Sequence, residues 1–248
     1  MNTFTFESYE ELSTTVAEQL YQKISHGLLL NDHFVWGLTT GSSPKKTYVK
    51  LIEMLGADSL DLTNLYTFNL DEYYPIKKGS PRSYHYEMMK NFWKPLHTEN
   101  SSFHLENGCI LNGEAEDPVK ECKEYEQKIV ELGGIDLQLL GLGINGHIGF
   151  NEPGSAMDSR TRKIEIATET KEANSRFFGN DEEKVPGEAL TMGIGNILEA
   201  KEIFLVVHGE EKRPIFEKMQ SLTEPDPMIP ASSLIKHQAS TIFTDLKV

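Results

Sequence analysis

Short apolar runs alternate with amphipathic stretches along almost the whole chain, and that alternation leaves few folds open. The runs at 33–39, 65–69, 135–141, 203–207 and 238–244 have the length and composition of buried strands. Between them lie helical patterns. Ser8-Tyr9-Glu10-Glu11 reads as a capping box, and Leu12, Val16, Leu20 and Ile24 then recur at helical spacing. Ser43-Pro44 opens a second helix that runs towards Leu55, and 83–93, 114–132 and 210–222 carry further helical patterns. Strands alternating with helices of this length predict an α/β fold: a doubly wound, mostly parallel, Rossmann-like sheet with helices on both faces. The chain shows no repeat and no dividing linker, so one domain is expected over 1–248, and the polar, weakly periodic stretch 154–187 reads as a lid or a small subdomain.

Charge narrows the function. The 248 residues hold 38 acidic against 24 basic side chains, a formal charge of −14, which argues against nucleic acid and anionic membranes as partners. Local geometry still permits an anionic small molecule. Two cysteines, Cys109 and Cys122, lack metal spacing and fit a reducing compartment. The first residues have neither a basic nor an apolar signal region, and no run approaches the ~20 apolar residues of a membrane span, so a cytoplasmic location is expected.

Three places carry candidate chemistry. After the 135–141 strand comes Gly141-Leu142-Gly143-Ile144-Asn145-Gly146-His147-Ile148-Gly149-Phe150-Asn151-Glu152-Pro153-Gly154. Its glycines permit sharp turns and close approach to a ligand. Into that turn are set an amide (Asn145), an imidazole (His147) and a carboxylate (Glu152), at the end of a strand where open α/β sheets do chemistry. A lone His with one nearby carboxylate offers too few ligands for a metal. The turn Thr39-Thr40-Gly41-Ser42-Ser43-Pro44 joins strand to helix and reads either as an anion cradle or as an ordinary Ser N-cap. Asn69-Leu70-Asp71-Glu72-Tyr73 ends a strand with adjacent carboxylates, read either as a general base or as a solvated helix start. Arg176 and Lys212 are basic residues in an acidic chain; Lys212 follows a strand and hints at an anionic ligand.

The sequence resembles the glucosamine-6-phosphate deaminase (glucosamine-6-phosphate isomerase) family. The resemblance rests on Thr40–Pro44, Phe68–Tyr73, Gly143–Pro153, Ser159–Arg162, Asn174–Phe178 and Met192–Leu198, which follow the family's order over roughly residues 35 to 245. It implies conversion of glucosamine 6-phosphate and water to fructose 6-phosphate and ammonia, with no cofactor and no metal. It implies Asp71 as the base moving a proton between C2 and C1, and His147 as the ring-opening acid/base with Glu152 and Asn145 as partners. Sugar-phosphate contacts would come from Thr40, Gly41, Ser42, Ser43, Glu72, Arg176 and Lys212. Some members carry Asp at the position of Asn145; the amide removes a charge and should lower the His147 pKa. Ile164 stands where allosterically regulated members place a Lys, with Lys163 adjacent, and the chain ends soon after its last strand. Weak or absent activation by N-acetylglucosamine 6-phosphate is therefore expected. Monomer or homo-oligomer is left open.

Two other readings compete. A 6-phosphogluconolactonase-type hydrolase shares the fold and a Gly-His turn, but would not need Phe150-Asn151-Glu152-Pro153 or the Asp-Glu-Tyr motif. A sugar-phosphate-sensing domain of a regulator would need a basic DNA-binding segment, whereas the first 30 residues hold one Lys, no Arg and four Glu.

Overall fold

The computed structural model describes residues 2–58, 60–175, 178–179 and 181–247. In chain order the elements are β1 (Asn2–Thr5), α1 (Tyr9–Leu30), β2 (Phe34–Leu38), α2 (Lys45–Ala57), β3 (Leu65–Asn69), β4 (Asp71–Tyr74), α3 (Tyr84–Met88), α4 (Lys94–Glu99), β5 (Gly108–Cys109) and α5 (Pro118–Glu131). They continue with β6 (Leu137–Gly141), β7 (Arg162–Glu165), α6 (Thr168–Ser175), β8 (Glu188–Thr191), α7 (Ile194–Leu198), β9 (Glu202–Val207), α8 (Arg213–Gln220) and β10 (Ser240–Thr244).

Seven strands form one sheet in the order β1-β10-β9-β6-β2-β3-β5, and every pairing in it is parallel. The central strands are buried on both faces, as their continuous apolar runs require. On one face α1, α2 and α4 pack Leu12, Val16, Leu20, Leu51, Leu55 and Leu96 against Trp36, Leu139 and Phe204. On the other, α5 and α8 bring Tyr125, Ile129, Phe216 and Met219 against Val35, Phe68, Leu140 and Leu205. The doubly wound expectation holds. The chain proceeds from β2 outward through β3 to β5, then returns to the other side of β2 with β6. The loops after β2 and β6 therefore leave neighbouring strands in opposite directions, which opens a crevice at their carboxyl ends.

Local signals explain the boundaries. Ser8 Oγ accepts the Glu11 N–H at 3.2 Å, the expected cap of α1, while the Glu11 carboxylate takes the Glu7 N–H at 3.0 Å. Asp117 caps α5, so that helix starts at Pro118 rather than at 114. The 83–93 pattern continues to Glu99: a π turn at Met89–Trp93 joins α3 to α4. The adjacent Phe92 and Trp93 are both fully buried there. The 210–222 pattern divides into a 3₁₀ turn at Glu210–Lys212 and α8.

A second sheet has no counterpart among the expected strands. β4, β8 and β7 pair antiparallel in that order, and β4 starts two residues past the carboxyl end of β3. Asp71–Tyr74 is thus a strand, which overturns the reading of a solvated helix start. The 154–187 stretch supplies β7 and α6, so part of the expected lid is built into this small sheet.

Candidate active site

The crevice between the β2 and β6 loops opens into a cavity of about 490 Å³. Thr40, Gly41, Ser42, Ser43, Asp71, His147 and Lys212 all line it, although they lie up to 172 positions apart in sequence, from Thr40 to Lys212.

The turn after β2 forms one end. α2 begins at Lys45 with Pro44 as its cap residue, and no side chain caps it, so the ordinary Ser N-cap is not realised. Ser43 Oγ instead accepts a hydrogen bond from Lys212 Nζ at 2.9 Å. Lys212 is only 8% exposed, and an ammonium brought into such a place beside a helix N-terminus makes this end strongly attractive to an anion. Arg176, the other expected cation, lies outside the described residues.

The Gly-rich segment after β6 forms a relay. Glu152, as a carboxylate, only accepts, so Asn145 turns its amide NH₂ to it: Nδ2 donates to Glu152 Oε2 at 2.8 Å. Asn145 Oδ1 then faces His147, 2.7 Å from Nδ1, which must carry the proton and donate it. The His147 backbone N–H donates to the same oxygen at 3.2 Å. This leaves Nε2 as the nitrogen able to exchange a proton. Burial pushes the imidazole below its ordinary pKa; Glu152, 3.8 Å away, opposes that, and the Lys212 ammonium adds to it. Desolvation is the first cause of this lowering; the amide at position 145 is not among its causes. The ring needs Gly143: a Cβ there would stand 2.3 Å from the imidazole.

Asp71 stands at the start of β4, 6% exposed. Burial first, and then the neighbouring Glu72, push its carboxyl up to about 8, which suits a base working near neutral pH. Gly149, at φ +59°, lies where a Cβ would come within 3.2 Å of Asp71 Oδ2, so the His147 segment and the Asp71 strand meet at this glycine. The small sheet fixes that meeting. Phe150 N–H donates to Thr191 Oγ1 at 3.1 Å, and Asn151 Nδ2 donates to the Met192 carbonyl at 2.8 Å.

Glu72 departs from its expected role. It does not line the cavity; its carboxylate accepts the backbone N–H groups of Tyr73, Tyr84 and His85 at 2.9, 2.9 and 2.8 Å. A carboxylate so placed holds the first turn of α3 rather than a sugar. Burial still raises its pKa, to about 7.

Sequence reasoning did not assemble the aromatic wall of the cavity. Tyr73, Tyr84, Phe150 and Phe178 cluster with ring centroids 4.8 to 6.0 Å apart and line the cavity. Tyr73, Phe150 and Phe178 fall inside motifs already singled out; Tyr84 does not. Thr170 was also missed. It lies on α6, lines the cavity, and its hydroxyl donates to Glu152 Oε1. The relay thus runs Thr170–Glu152–Asn145–His147.

The family described as glucosamine-6-phosphate isomerases/6-phosphogluconolactonase matches residues 7–243. A glucosamine-6-phosphate deaminase of Clostridium acetobutylicum is 41% identical over 246 residues, covering 99% of this chain and 97% of its own. A solved structure of a monomeric glucosamine-6-phosphate deaminase matches with a TM-score of 0.91 at 37% identity, over 98% of this chain and 97% of that one. The 6-phosphogluconolactonase of Thermotoga maritima matches at TM-score 0.74 and 18% identity over 98% of each chain, a likeness of fold alone. With nearly its whole length matched by that family and by a relative at 41% identity, the chain belongs to the glucosamine-6-phosphate isomerase/6-phosphogluconolactonase family, among its glucosamine-6-phosphate deaminases.

Proposed function

We infer that the chain converts glucosamine 6-phosphate and water to fructose 6-phosphate and ammonia by proton transfers on protein side chains. One observation carries this reading: an anion end, a raised-pKa carboxyl and an oriented imidazole open onto a single cavity. The Thr40–Ser43 turn, Lys212 and Arg176 hold the phosphate, which brings C1 and C2 within reach of the catalytic groups. The His147 Nε2 atom moves the proton of ring opening, in the tautomer that Asn145 and Glu152 impose. Asp71 takes the C2 proton and returns it at C1. Water then adds to the C2 imine and ammonia leaves. The aromatic wall offers apolar faces to the sugar. Segment 154–187 closes over the bound sugar, with Thr170 and Phe178 already at the cavity.

The lactonase reading explains neither the buried Asp71 nor the Asn145–Glu152 relay, since lactone hydrolysis needs no C2–C1 proton shuttle. Weak activation by N-acetylglucosamine 6-phosphate is supported by position 164: Ile164 packs at the aromatic cluster, and Lys163 pairs with Glu188 at 2.6 Å.

Ammonia release from glucosamine 6-phosphate, measured with and without N-acetylglucosamine 6-phosphate, tests the reading. Asp71→Asn should lose about 10²–10⁴-fold in kcat while binding substrate nearly as well. Full turnover in that variant would remove Asp71 from its role.

A further inference from the structure

A trans peptide sets its C=O and N–H in opposite directions, so amides aimed at a ligand leave carbonyls on the outer side of the turn that need donors of their own. At the Ser42-Ser43 turn this applies to the Ser42 carbonyl, whose peptide carries the Ser43 N–H, and its donor is the Tyr9 hydroxyl; the Ser43 carbonyl, joined to the proline nitrogen of Pro44, is reached by the same hydroxyl. That hydroxyl stands 2.9 Å from both the Ser42 and the Ser43 carbonyl oxygens, one proton shared between two acceptors. It also accepts the Lys46 N–H at 3.4 Å, from the first turn of α2. Tyr9 itself lies outside the cavity wall.

The tyrosine ring is held in turn. It stacks on the His208 imidazole with centroids 3.8 Å apart and planes 6° from parallel. The His208 Nδ1 and Asp245 Oδ2 atoms lie 2.7 Å apart. This pair follows from register: Val207 and Thr244 are opposite each other at the ends of β9 and β10, so the next residues on each strand are side by side. His208 also opens the turn that carries Lys212, four residues on.

We propose that Tyr9, backed by His208 and Asp245, is a positioning residue for the phosphate end of the site: it holds the Ser42–Ser43 turn from outside and so sets where that turn stands in the cavity. The proposal rests on the reading of this turn and Lys212 as the phosphate contacts. A ring stacked for packing alone would serve equally well as phenylalanine. Only a positioning role needs the hydroxyl.

Tyr9→Phe keeps the stack and removes the hydroxyl. Steady-state ammonia release by the full chain would give kcat and KM, and inhibition by inorganic phosphate would give its Ki, for the unmodified protein, Tyr9→Phe, His208→Ala and Lys212→Ala. In Tyr9→Phe, KM and the phosphate Ki should rise together by about 3- to 10-fold, the size of one lost hydrogen bond, with kcat held within about twofold. His208→Ala should move both constants in the same direction. Neither KM nor Ki depends on how much of the enzyme is folded, so partial unfolding cannot imitate this result. An unchanged phosphate Ki in Tyr9→Phe, where Lys212→Ala raises it, would overturn the proposal while leaving the phosphate end intact. An unchanged Ki in Lys212→Ala would instead bring down the phosphate assignment, and the role of Tyr9 with it.

Discussion

Asn145 gives the imidazole of His147 a neutral acceptor on its Nδ1 side and passes the influence of Glu152 through an amide. A carboxylate in its place would stand against the same nitrogen and favour imidazolium. Asn145→Asp should therefore raise the His147 pKa, read from the ring's NMR titration; an unmoved titration would show that burial alone governs this group. At the far end of the relay, Thr170 holds the other Glu152 oxygen. Thr170→Val keeps the shape and removes the donor, and should lower kcat by about 2- to 10-fold with a smaller effect on KM, whereas Thr170→Ser retains activity. Equal losses in the two variants would mean that Thr170 acts through packing. The residues of the relay nearest His147 were legible because they share one Gly-rich motif. Thr170 was not, since one hydroxyl in a polar helix looks like any other.

At the scale of elements, the parallel strands were legible because strands buried on both faces show as apolar runs, and β2, β3, β6, β9 and β10 fell within a few residues of their expected places. β4, β7 and β8 were not. Each is four residues long, and β7 alternates half-buried with exposed positions in a charged sequence. Such strands owe their pairing to partners rather than to their own pattern. The same sheet holds Asp71 as a buried carboxyl rather than a solvated one. It also divides the 154–187 stretch into β7, which is anchored, and α6, which reaches the cavity through Thr170. Limited proteolysis should accordingly find 166–187 cut more slowly with a substrate analogue bound, and β7 unaffected. Identical cleavage with and without the analogue would count against closure of this segment.

For the whole molecule, the site works against stability. Asp71 is raised to about 8 from its ordinary 3.8, so the folded state binds its proton more tightly than the unfolded chain does. The stability this contributes is complete below pH 3.8 and is lost as pH rises towards 8. Asp71→Asn has no such loss, and at pH 8–9 the ligand-free variant should melt at least about 2–4 °C above the unmodified protein, the response of a chain this size to 1 kcal/mol. The difference should shrink as pH falls and vanish only towards pH 3.8, and a variant less stable at pH 9 would contradict the burial argument. In the free enzyme, kcat/KM should rise with pH towards about 8 as Asp71 gives up its proton, far above the range of an ordinary carboxylate. By itself the sequence determined the parallel α/β architecture and the motifs of the site, because hydrophobic periodicity and turn chemistry act between near neighbours. Only the tertiary structure decided that Asp71 is buried, that Glu72 holds α3 instead of a sugar, and that Tyr9, Ser43, His208 and Lys212 share one end of the molecule. Burial and contact across well over a hundred residues belong to the order of strands in the sheet, and no local pattern encodes that order.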